Sequence, residues 1–297
     1  MKPTRILVIP GIGDVHWVSL KLKSFCAING IDDPEVWVWN FDDRPRSLEF
    51  VQRLPFVTAG GYWNQPLTDA WRLAFEKCYM LGMQDVVAPF GEFDYFICVN
   101  GSLRMGRTLQ YDILPECKTD WEYQLRTTPA ELNYGDEQAS RDKYVLLYFS
   151  DQGMFRFWLN RWPSQGIADF LDALSVWLPE YRLLLTGSSW DEAFAKQVLS
   201  HTCAPIENLV GQTNFDQFMG LLRHASGFAG WCGGNTIVST HIGIPTYMFW
   251  SDYFCREMQT NWVDPSKIGT VYNYDNVASV RPKDAAERFA LQVRSAA

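Results

Sequence analysis

The chain has 297 residues, near twice the common domain size, so two domains are expected. Hydrophobic residues make up 47% and charged residues 20%, which excludes a disordered chain, a collagen-like repeat and a coiled coil. With 26 basic and 34 acidic residues the formal charge is −8, so nothing in the bulk electrostatics draws the chain to nucleic acid or an anionic membrane. Aromatic residues reach 15%, including 13 Trp, and must either fill a core or stack on a flat or sugar-like ligand.

In chain order, Arg5 to Ile9 is a short buried-strand pattern. Pro10-Gly11-Ile12-Gly13-Asp14 is a turn, and Val18, Leu22 and Phe25 then recur at helical spacing. Strands follow at 35–39 and 95–99. Between them lies an aromatic, Gly- and Pro-rich stretch whose elements are not readable, and residues 115–142 are polar with little periodicity and are expected to be a loop or linker. The second half alternates more plainly. Strand patterns at 144–149, 181–185, 208–210, 228–229 and 246–249 are separated by helix patterns, the one at 215–222 with Thr213 as its expected cap and Asp216 three residues on. A last amphipathic helix spans 284–293. This alternation implies α/β architecture with parallel sheets wound on both faces.

The seven cysteines form no Cys-x-x-Cys pair and no zinc-spaced cluster with histidine, so reduced thiols are expected. The N-terminus lacks the layout of a signal peptide, and no apolar run approaches the ~20 residues of a spanning helix. The expectation is a soluble cytoplasmic protein.

Ligands of doubly wound sheets bind where strands end and helices begin. Gly13 and Asp14 stand at the first such place; Asp14 is either a plain N-cap or a carboxylate held near a ligand. Cys232-Gly233-Gly234-Asn235-Thr236 is a second, either a tight turn or an anion site suited to a diphosphate. Arg161 in Arg161-Trp162-Pro163 is a third, a solvated loop cation or a phosphate clamp. No HExxH or GxSxG motif supports a zinc protease or serine hydrolase. No Asp-x-Asp pair is present to hold a divalent ion, so no metal and no cofactor are expected.

Four stretches, taken in order, resemble the ADP-heptose:lipopolysaccharide heptosyltransferase family (glycosyltransferase family nine). They are Arg5 to Ile9 with Ile12-Gly13-Asp14-Val15, and Asp94 to Arg104 with Asn100-Gly101-Ser102-Leu103-Arg104 like a Gln-Gly-x-x-Arg loop. Next come Arg161-Trp162-Pro163 with the later strand Leu183 to Gly187, and finally Asn208 to Thr213 leading through Gly230 to Gly243-Ile244-Pro245. Residues 41–93 and 115–142 do not follow the family, Cys232 stands where it usually has Asp, and Ile237 where it has His.

The resemblance implies a GT-B-like fold, two doubly wound Rossmann-like domains facing a central cleft. It implies an acceptor domain at 1–142, a nucleotide-sugar (donor) domain at 143–280, and a C-terminal helix at 281–297 packing back on the first domain. It implies an inverting, metal-independent glycosyltransferase using a nucleotide-diphosphate sugar as co-substrate and a glycan or lipid-linked saccharide as acceptor. Asp14 falls on the general base. Gly13, Arg161, Gly187, Glu192, Gly233, Gly234, Asn235 and Thr236 fall on the donor site, and Asn100 and Arg104 on the acceptor site, to which the aromatic excess, not the resemblance, adds Trp63.

A hydroxymethylated DNA base is an alternative acceptor. Against it, residues 1–142 carry 14 basic and 20 acidic residues and the remainder 12 and 14, so the acceptor half is the more acidic. A sugar-nucleotide epimerase on the same fold and a non-catalytic nucleotide- or saccharide-binding module are further alternatives. The aromatic excess of the first half, at Trp17, Trp37, Trp39, Tyr62, Trp63, Trp71 and Trp121, marks where acceptor stacking is expected.

Overall fold

A parallel strand covered on both faces must be apolar throughout, and each of the two sheets starts on such a run, Ile6 to Ile9 and Tyr144 to Phe149. The structure is a computed structural model, which describes residues 2–41, 47–68, 72–73, 86–98, 114–150, 162–251 and 259–296. It divides into two units, Met1–Arg126 with Cys255–Asp264 and Thr127–Phe254 with Pro265–Ala297.

In the first unit, β1 (Thr4–Val8) leads into α1 (Ile12–Ile28), then β2 (Pro34–Trp39), α2 (Leu48–Gln52), β3 (Thr58–Trp63), β4 (Val86–Val87) and β5 (Tyr95–Ile97). The described strands lie in the order β3-β2-β1-β5-β4, all parallel except β4, which runs antiparallel to β5. β3 falls in the stretch that sequence pattern leaves unread. Its Gly60 and Gly61 look like loop punctuation, yet they are there because the Trp37 indole lies on them: a Cβ at Gly60 would overlap the ring. The register of β2 against β3 shifts beside this contact, between Val36 and Trp37.

The second unit runs α3 (Pro129–Ala139), β6 (Tyr144–Tyr148), α4 (Ser164–Trp177), β7 (Arg182–Thr186), α5 (Glu192–Leu199), β8 (Ile206–Asn208) and α6 (Phe215–His224). It continues with β9 (Gly227–Trp231), α7 (Gly234–His241), β10 (Thr246–Trp250), β11 (Tyr272–Asn276) and α8 (Pro282–Ala296). Its described strands are all parallel, ordered β8-β7-β6-β9-β10-β11. Counted from β6, that is the strand order of a dinucleotide-binding fold, with its reversal between β6 and β9.

Three expectations are corrected. Residues 129–139 are a helix, not a linker, and belong with the second unit, although sequence placed them before a boundary at 142. The helix escapes periodicity because its contact with α6 is made by small and charged residues: Gly135 lies against Gly220 and His224, and buried Glu131 pairs with Arg223. The C-terminal helix packs within the second unit, where Ala285, Ala286, Phe289, Ala290 and Val293 join Ile167, Phe170, Leu171 and Leu174 of α4 in one core. α6 is capped by Asn214 rather than Thr213: Asn214 accepts from the Gln217 amide and Gln217 returns the bond, both at 2.9 Å.

On α4, Asp172 accepts hydrogen bonds from the Thr202 hydroxyl and the amides of Cys203 (2.8 Å) and Ala204 (2.9 Å), pinning the turn before β8. Burial alone would raise its pKa, but these three donors and the charge of Lys283 outweigh it and hold the carboxyl below its usual value. The stabilisation is therefore complete above the unfolded carboxyl's pKa and is lost as pH falls through the lower folded one. Asp172→Ala is expected to lower unfolding free energy by about 2 kcal/mol at neutral pH. The difference from wild type should shrink as pH falls below the unfolded carboxyl's pKa and through the lower folded one, in urea titrations repeated across pH.

Candidate functional site

In each sheet the connections diverge where the order reverses, between β1 and β5 and between β6 and β9, and the helix leaving each reversal starts on glycine. In the first unit the chain turns from β1 into α1 at Gly11, with φ +132°. The left-handed backbone favours glycine, and a side chain there would also strike the Asp14 carboxylate, which folds back over it. The Gly11 amide donates to Ser47 Oγ at 2.9 Å, fixing the turn. Gly11 is the cap position, so Asp14 is not an N-cap; it is the third residue of α1, after buried Gly13, half-buried at the positive end of the helix dipole.

In the second unit β9 ends at Trp231 and α7 begins at Gly234. Buried Thr236 ties the loop: its Oγ1 accepts from the Gly233 amide at 3.1 Å and lies 2.8 Å from the carbonyls of Trp231 and Gly233. Thr236 thus shapes the loop, while Gly233, Gly234 and Asn235 stay half-exposed at the helix start. The two departures from the family pattern both serve packing. Cys232 lies against the core of the unit, where burial pushes its thiol pKa up, and Ile237 is buried.

Across the reversal, Tyr148 ends β6, and its ring lies 3.5 Å from where a Cβ on Gly233 would stand. Burial raises the Tyr148 phenol, the Asp191 charge raises it further, and a bond from Ser150 only partly offsets this, so it stays a protonated hydroxyl. Ser150 in turn donates to Asp191, which is fully buried and also accepts from the Ser188 amide at 2.9 Å. A polar seam therefore crosses the carboxyl edge from β9 over β6 to β7. None of Tyr148, Ser150 and Asp191 was singled out from sequence. Their only local sign is position just past strand ends, which many residues share.

At the end of β7, Gly187 accepts from the Gly211 amide at 3.0 Å, and the Glu192 carboxylate lies beside Gly211. Glu192 also meets Lys196 at 3.9 Å, an exposed contact of little energetic weight. Gly187, Glu192 and Gly233 to Thr236, the residues expected at a donor site, are thus gathered on one edge of one sheet. Arg161, Asn100 and Arg104 lie outside the described residues. Trp63 does not face a ligand: it is buried with Leu7, Trp39, Phe90, Phe93 and Phe96, its ring centroid 5.1 Å from that of Trp39 and 5.3 Å from that of Phe93.

A cavity of about 1120 Å³ opens elsewhere, lined by Tyr247, Asp275, Arg288 and Gln292 and running from the amino ends of β10 and β11. Parallel sheets take ligands at the opposite ends of their strands, so it is not the candidate site. Among the described residues no group of three or more His, Cys, Asp or Glu is placed to hold a metal, and no helix is long and apolar enough to cross a membrane.

Two Rossmann-like units, each with a glycine-led helix at its strand reversal, define a GT-B-like α/β protein. Solved structures of that fold are similar along nearly the whole chain. E. coli ADP-heptose lipopolysaccharide heptosyltransferase II is 14% identical with TM-score 0.63, covering 99% of this chain and 100% of that one. A glycosyltransferase family 9 protein from Veillonella parvula is 10% identical with TM-score 0.59, covering 97% of each chain. A putative UDP-N-acetylglucosamine 2-epimerase from Listeria monocytogenes is 12% identical with TM-score 0.50, covering 99% of this chain and 89% of that one. No family model and no curated protein matches the sequence. The resemblance carried by the four motifs is borne out in the fold.

If Trp63 is core, Trp63→Ala should cost about 3–5 kcal/mol in denaturant unfolding. A solvent-facing stacking residue would lose less than about 0.5 kcal/mol.

Proposed function

We propose that the chain is an inverting, metal-independent glycosyltransferase, moving a sugar from a nucleotide-diphosphate sugar to a hydroxyl of a glycan or lipid-linked saccharide. The observation that carries this is Asp14, a carboxylate folded over Gly11 at the first sheet's strand reversal, where the heptosyltransferase resemblance puts a general base. A carboxylate there has no structural duty as an N-cap, since Gly11 holds that position.

In this reading the second unit holds the donor and the first holds the acceptor. The amides of Gly234 and Asn235 at the start of α7 meet the diphosphate, and Arg161 supplies the cation. Glu192 meets the nucleoside. The acceptor hydroxyl gives its proton to Asp14 as its oxygen attacks the anomeric carbon, on the face opposite the departing nucleoside diphosphate. That geometry inverts the anomeric centre, and the negative charge gathering on the leaving diphosphate is met by fixed amide dipoles. Support for metal independence is the sequence itself, which holds no Asp-x-Asp pair.

The similar solved structures whose names include heptosyltransferase and glycosyltransferase favour transfer, and the epimerase among them shows that this fold alone does not choose the reaction. Cys232 and Ile237, both apolar packing residues here, leave the donor sugar open. The acidic balance of the first half favours a saccharide over a DNA base.

Asp14→Asn should reduce transfer by about 10²- to 10⁴-fold while nucleoside diphosphate affinity stays within about threefold; full activity in that variant would remove Asp14 from the role. A thermal-shift panel of nucleotide-diphosphate sugars should raise the midpoint with at least one member, by an amount set by its concentration relative to Kd. Silence across the whole panel would end the transferase reading.

A further inference from the structure

Most tryptophans among the described residues are accounted for by the cores, but Trp190 is not. It is 40% exposed, and among the described residues its indole makes neither a hydrogen bond nor a ring contact. It sits in a short 3₁₀ turn, Ser189–Asp191, between β7 and α5 at the carboxyl edge of the second sheet. Exposing an indole forfeits the burial of one of the largest apolar surfaces a side chain has. A slack loop would fold it down.

This turn cannot. Asp191 holds it from beneath, buried and bonded to both the Ser150 hydroxyl and the Ser188 amide. With Asp191 pointing into the protein, its neighbours Trp190 and Glu192 flank it and are left outward. The Glu192 carboxylate is half-exposed and lies beside Gly211. β7 is the second strand of the dinucleotide-type order, the strand after which an acidic side chain meets a ribose in that fold. A flat, exposed π surface is thus held on the same clamped turn as a carboxylate suited to a diol. Base and ribose together present that pair of chemistries; a bare diphosphate presents neither.

We propose that Trp190 is the stacking platform for the base of the nucleotide, and that it makes the second unit select nucleoside diphosphates over diphosphate alone. The proposal rests on the donor reading of this unit. Asp191 is a positioning residue: it touches no ligand and keeps the indole presented.

The test is calorimetric titration of the full chain with ADP, GDP, UDP, CDP and inorganic pyrophosphate, for wild type, Trp190→Ala and Trp190→Phe. Wild type should bind at least one nucleotide more tightly than pyrophosphate. Trp190→Ala should lose about 5- to 100-fold for that nucleotide with pyrophosphate affinity unchanged. Trp190→Phe should keep most of the affinity yet lose the part of the nucleotide-induced fluorescence quench that comes from the indole. Unchanged nucleotide binding in Trp190→Ala, or equal loss for nucleotide and pyrophosphate, would overturn the proposal. Wild type binding pyrophosphate as tightly as every nucleotide would overturn it while sparing the diphosphate loop. Binding of none of the five would overturn the donor reading itself.

Discussion

The strand order of each sheet is the constraint on which the candidate chemistry depends. When a parallel sheet grows outward first on one side and then on the other, the connections beside the starting strand run apart and leave its carboxyl end uncovered. That happens at β1 next to β5 and at β6 next to β9. The strands around these points are packed on both faces by apolar side chains, so the carboxyl edge is where backbone amides and polar side chains can meet a ligand. Gly11 and Gly233 both stand there, each followed by a helix whose first amides have no partner within the helix.

The second edge is held together by buried polar contacts. Tyr148 stands against the Gly233 loop, Ser150 and Asp191 are bonded to one another, and Asp191 fixes the amide of Ser188. Burying a carboxylate without partners would be costly, and each partner here belongs to a different strand end. The network therefore does two things at once: it satisfies Asp191 and sets the spacing of three loops. Thr236 does the same on a smaller scale within the β9–α7 loop. Rigid loops of this kind lose little freedom when a charged ligand arrives, which favours electrostatic stabilisation over rearrangement.

The aromatic abundance divides between two purposes. In the first unit Trp39 is surrounded by Phe41, Trp63, Phe90 and Phe96, and Arg5 lies over Trp37 at 4.6 Å from the ring centroid. Rings fill the second core as well, where Phe149, Phe170, Trp231 and Phe249 pack on one another. Composition registers the rings but not their partners, and for that reason Trp63 looks from sequence like a surface for sugars.

The sequence by itself determined the apolar strand runs, the alternation with helices that makes the second sheet parallel and the first parallel but for β4, and the glycine turns that lead to Asp14 and to Asn235. These are local: a strand buried on both faces must be apolar along its length, and a tight turn into a helix needs glycine in the few residues concerned. Tertiary structure decided what each surface meets. It put a strand at Gly60 and Gly61 because an indole from β2 lies on them, and made a helix of 129–139 through Gly135 and Glu131, whose partners lie about 90 residues away on α6. It also assembled Tyr148 and Ser150 from the end of β6 with Asp191 from beyond β7, and left Trp190 outside every core. Periodicity records which residues are buried, while contact between distant segments records what they are buried against, and a ligand site is made of the second kind of fact.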